Sequence, residues 1–165
     1  MLVRAFRDKV FEEVDRVTHL VRLVNPEWLD DGPVRGFRFR QLLHHLLECM
    51  SGFCAALNAV LSGGLDGADK LRGALEPAVA SVDDMLLRSQ MYMTALDQGF
   101  GLLSDADLGK RVPTVFVPEG EALLTVLLGN YSHLVAHKYQ LFSYLKNAGV
   151  AVGTRDLYVF RECRV

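Results

Sequence analysis

The chain lacks most of the patterns by which a fold or an activity is read directly. Its three cysteines, Cys49, Cys54 and Cys163, include no CxxC pair. An odd number without that spacing argues against a disulfide framework and predicts free thiols in a reducing, cytoplasmic setting. The longest apolar runs, such as the one from Leu123 to Leu128, fall far short of the roughly 20 residues that cross a bilayer, so no membrane is expected as partner. Met1 to Lys9 alternates charged with apolar residues and has no uninterrupted apolar block, unlike a secretory signal. Neither sign of charge dominates: 18 basic against 20 acidic residues leave a net charge of −2. Without a basic face, duplex nucleic acid is a poor partner. There is no internal repeat and no low-complexity tract. A Gly-Lys-Ser/Thr phosphate loop, GxGxxG and GxSxG are all missing, as are a CxxCH haem site and the Glu-x-x-His pairs of di-iron bundles.

What is present is helical period. At 165 residues, half of them apolar and 23% charged, the chain fits one domain, 1–165, that buries a core without staples. Val3, Phe6, Val10, Val14, Val17, Val21 and Val24 recur at spacings of three and four, which predicts a first helix ending at Asn25-Pro26. A second is expected from about Phe37 to Leu61, stopped by Gly63-Gly64, with Phe39, Leu42, Leu46, Cys49, Phe53, Leu57 and Val60 on one side. A minor helix could lie between Asp69 and Leu75. Ser81 with Asp83 and Asp84 reads as the start of a third long helix, running to about Leu103. Residues 104–120 form a connector whose prolines confine its β-branched run to an edge or loop. The last long helix is expected from about Glu121 to Asn147, with a short turn after Thr154. Four amphipathic helices with a long crossing between the third and fourth describe an all-α four-helix bundle.

The histidines carry the chemistry. His133 and His137 are four residues apart, about 40° on one helix face, a workable bite for one metal ion. His45 borders the apolar stripe of the second helix, whereas His44 and His19 read as surface residues. Three imidazoles from two facing helices leave one position open, the ligand count of a catalytic zinc-type site. The pair lacks the glutamate that HExxH requires after its first histidine. The same spacing also occurs where histidines only line a polar pocket. Cys49, one turn after His45, could add a thiolate, although a buried cysteine is usually a small hydrophobe. Met85, Met91 and Met93 read as core filling.

Two segments resemble a known superfamily. The run from His133 to Lys146, HLVAHKYQLFSYLK, resembles the fourth-helix signature of the DinB/YfiT-like superfamily, in which a histidine pair precedes a basic residue, a glutamine and a Tyr-Leu ending. Arg40 to Glu48, RQLLHHLLE, looks like its second-helix motif and puts the third ligand at His45 rather than His44. The resemblance covers nearly the whole chain in order and spacing. Many members carry two adjacent histidines followed by Arg-Gly-Gln, where this chain has His137-Lys138-Tyr139-Gln140. What the resemblance implies is a DinB-like bundle holding one divalent ion, with zinc or nickel ahead of iron or manganese, on His45, His133 and His137. The superfamily includes metal-dependent hydrolases and thiol-dependent S-transferases.

Three neutral imidazoles leave the ion's charge undiminished. Such an ion lowers the pKa of bound water toward about 7 or holds a thiol as thiolate. Transfer of a low-molecular-weight thiol to a small-molecule electrophile is the favoured expectation, with hydrolysis as its alternative. A third reading is a non-catalytic stress-response or structural bundle. No separate general base stands out. Glu48, about 60° from His45 on the helix, reads as a solvated charge. Asn130, Gln140 and Tyr144 are expected around the ligands or a substrate, and Arg38 and Arg40 could reach an anionic thiol. Phe11 and Leu20 beside the first stripe suggest an extra apolar face and hence a homodimer.

Overall fold

The computed structural model describes residues 1–33, 35–62, 78–114 and 117–158. It is all-α: four main helices pack together, and a short C-terminal helix follows. They are α1 (Leu2–Arg22), α2 (Phe39–Ser62), α3 (Val82–Gly101), α4 (Leu123–Asn147) and α5 (Thr154–Tyr158). The expected minor helix at Asp69 to Leu75 and the glycine stop at Gly63-Gly64 lie outside the described residues, as do Phe160 and Cys163.

Local chemistry sets the helix ends. The Asp105 carboxylate accepts from the backbone N–H groups of Leu2 and Val3, meeting two of the donors that a helix start leaves free. Its pKa is held down to about 2, first by the N-terminal ammonium and then by those N–H groups. Ser81 caps α3 by accepting from Asp84 N–H, as its sequence predicts. α1 stops before Asn25-Pro26, where Asn25 caps a single 3-10 turn, Pro26–Trp28. In the connector, Arg111–Val112 (β1) and Glu121–Ala122 (β2) form a two-residue antiparallel ladder. Gly120 makes that return possible: its φ is +84°, and a Cβ there would meet Val112 and Pro113 backbone at 3.2 Å.

Each long helix buries a stripe. α2 packs against α3 and α4, and α1 packs against the same two helices. α1 and α2 therefore sit diagonally, as do α3 and α4. Val10, Val17, Leu20, Leu42, Leu46, Phe53, Met85, Leu96, Leu127, Leu134 and Leu141 are fully buried in the shared core. By length and composition α2 could cross a bilayer, but over half of that window is buried inside the bundle, as in any central core helix.

Three expectations need correction. Leu20 is not part of an exposed face: it is fully buried, because α1 is packed by two helices and its stripe is correspondingly broad. Phe11 is half-buried beneath the Arg7 guanidinium. Met85 fills the core, whereas Met91 is 64% exposed, pointing away from both neighbours of α3.

Candidate metal centre

Adjacent packing of α2 and α4 brings the histidine-bearing faces together. The Nε2 of His133 lies 3.1 Å from Nε2 of His45 and 2.9 Å from Nε2 of His137. The His45 and His137 rings stand perpendicular with centroids 4.4 Å apart. Zn–N bonds of about 2.0–2.1 Å in a tetrahedron place ligand nitrogens about 3.3 Å apart, close to these separations. His45, Cys49 and His133 form a group that could hold a metal ion, with donor atoms all within 4.8 Å of one another.

Hydrogen bonds fix how two of these rings present their nitrogens. His45 Nδ1 lies 2.6 Å from Glu48 Oε2. An ionised carboxylate only accepts, so His45 donates from Nδ1 and a neutral ring turns a lone pair inward at Nε2. For His137 the polarity is set from further away. The Tyr144 hydroxyl donates to the Phe37 carbonyl at 2.9 Å, which leaves its oxygen to accept from Gln140 Nε2 at 3.1 Å. Gln140 therefore turns Oε1 toward His137 Nδ1, 2.8 Å away, and His137 must be the donor there. Its Nε2 is a second inward lone pair. A neutral His133 can supply at most one proton between them, so one contact is left with lone pair facing lone pair unless a further proton or a metal cation sits in the cluster. Partners of this kind on the outer nitrogen are the usual support for a metal-binding imidazole.

The surroundings are asymmetric. The Phe37 ring covers His45 and His137, with centroids at 5.2 and 6.0 Å, while His133 is solvent-exposed and Cys49 is buried. Desolvation, then the His137 and His45 charges, lower the pKa of His133, which keeps it a neutral donor to lower pH. Burial, followed by the Glu48 charge, pushes the Cys49 thiol up to about 12; burial pushes the Cys54 thiol up to about 12 as well.

Sequence reasoning misjudged several neighbours. Glu48 is not a free solvated charge but the acceptor of His45; i,i+3 spacing is within a glutamate's reach. His44 is half-buried, not on the surface, and its Nδ1 has no hydrogen-bond partner among the described residues. His19 bonds Asp156 at 2.8 Å. Arg40 is committed to Asp30 and to the Val79 and Ala80 carbonyls, away from any incoming anion, and Arg38 is exposed. Gln140 and Tyr144 are linked in a hydrogen-bonded chain to His137. Asn130 lies against Gly52, where a Cβ would come within 3.2 Å of its carboxamide.

No protein-family model matches this sequence, and no curated protein matches it.

Proposed function

We propose that the chain is a divalent-metal-binding bundle of the DinB/YfiT-like kind, with His45, His133 and His137 as ligands. The observation carrying this reading is the convergence of three imidazole Nε2 atoms within about 3 Å of the central one, two of them held lone-pair-inward by Glu48 and Gln140. Bare lone pairs repel at that distance, and a divalent cation removes the repulsion. Three neutral ligands suit zinc or nickel. When bound, such an ion supplies Lewis acidity that stabilises a thiolate or lowers the pKa of water.

The activity we infer is transfer of a low-molecular-weight thiol to a small electrophile. The chain's own contribution is to orient the imidazoles through Glu48, Gln140 and Tyr144 and to exclude water on the Phe37 side, while the exposed His133 edge admits substrate. Hydrolysis through an activated water is the alternative use of the same centre. The test is thiol consumption with a panel of electrophiles, comparing zinc- or nickel-loaded protein with chelated protein and with His45→Ala and His133→Ala. Thiol loss that requires metal and both histidines supports transfer. Ester or amide cleavage with the same requirements replaces it by hydrolysis. A fall in melting temperature on chelation, with no turnover of either kind, replaces both by a structural metal.

A further inference from the structure

The donor set around the histidines is larger than three imidazoles. On α2, His45 and Cys49 are separated by four residues, as are His133 and His137 on α4. Each pair spans one helical turn on a single face, and the two helices pack directly against each other. The Cys49 sulfur belongs to the same cluster: Sγ, a His45 ring nitrogen and a His133 ring nitrogen lie within 4.8 Å of one another. With Zn–S at about 2.3 Å and Zn–N at about 2.0–2.1 Å, a tetrahedral site separates sulfur from nitrogen by about 3.6 Å.

We propose that Cys49 is the fourth protein ligand, completing a three-nitrogen, one-sulfur tetrahedron from two i,i+4 pairs on facing helices. The inference rests on the reading that the imidazoles hold an ion. The placement of Cys49 with His45 and His133 in one donor group, and of His137 Nε2 2.9 Å from His133 Nε2, supports it. Cys49 is 4% exposed and approaches from the bundle interior, whereas His133 forms the solvent edge. Cys54, the other described free cysteine, points elsewhere, its thiol 3.9 Å from the Tyr92 carbonyl. A sulfur donor also shifts the preference toward softer borderline ions such as zinc and cobalt, away from magnesium or manganese.

The consequence for activity is specific. A site with four protein ligands is closed, whereas a catalytic one keeps a position free. For a small thiol to bind an ion held there, Cys49 would have to leave it, the incoming thiol's proton passing to the Cys49 sulfur.

Cobalt substitution reads this directly. In protein reconstituted with one cobalt(II) per chain, the wild type should show the near-ultraviolet charge-transfer band of a thiolate ligand together with the visible bands of tetrahedral cobalt. Cys49→Ala and Cys49→Ser should lose the charge-transfer band and retain visible bands, and Cys54→Ser should keep both. Visible bands without a charge-transfer band in the wild type would overturn the proposal while leaving the three-imidazole centre standing. A charge-transfer band that survives both Cys49 variants would overturn it as well. Absence of any cobalt binding would sink the centre itself, and the proposal with it.

Discussion

Residues that helical spacing treats as equivalent do different work around the three histidines. His45, His133 and His137 were legible because an i,i+4 pair and a stripe-edge position follow from helical period, and the structure brings all three rings together. Their supporting hydrogen bonds were only half legible. Gln140 and Tyr144 lie on the His137 face at spacings that helical geometry reaches. Glu48 was discounted on angle, because a wheel projects Cα positions and ignores the length of the side chain. Glu48→Ala and Gln140→Ala should each weaken zinc affinity about 10–100-fold by releasing a ring from its orientation. Competitive titration with a chromophoric chelator measures this, and an unchanged affinity in both variants would remove their positioning role.

Elements are joined by polar contacts that no periodicity reveals. Lys138 is 1% exposed on α4, where a helical wheel expects core or edge but gives no partner. Its ammonium lies 2.7 Å from Glu13 Oε2 on α1 and donates to the Leu157 carbonyl on α5. The partner is 125 residues away in sequence, so the pair exists only once the bundle has formed. Glu13 has a second cation in Arg16, whereas Lys138 has no other carboxylate among the described contacts. Breaking a buried pair costs about 3–5 kcal/mol because a charge is left uncompensated. Glu13→Gln should therefore destabilise more than Lys138→Met, and Glu13→Gln with Lys138→Met should recover most of the loss, as measured by denaturant unfolding. Nearby, Asp156 ties α5 down by accepting from Gly153 N–H and by its bond to His19; those two contacts, in that order, lower its pKa. A depressed carboxylate contributes stability above its unfolded pKa of about 3.9 and loses it as pH falls through the folded value. Asp156→Asn should thus lower the melting temperature at neutral pH and flatten its decline below about pH 4. Equal acid sensitivity in variant and wild type would remove Asp156 from the clasp.

For the molecule as a whole, the four long helices and their order could be read in advance, because each carries an apolar stripe that must be buried. The partnership of helices could not be read. α1 lies beside α3 and α4 rather than α2, which is why Leu20 is core and why no apolar face was left on that side. The same arrangement sets α2 against α4 and so creates the candidate metal centre. That centre makes binding a whole-molecule property: an ion bridging two packed helices stabilises the fold by mass action, about 2.7 kcal/mol at a hundred-fold excess over Kd. The most direct test of the account is the metal content of purified, tag-free wild type beside His137→Ala, by elemental mass spectrometry. About one divalent ion per wild-type chain is expected, and its loss in the variant. No metal in either protein, even after incubation with zinc and nickel, would contradict it and leave three histidines meeting without an ion.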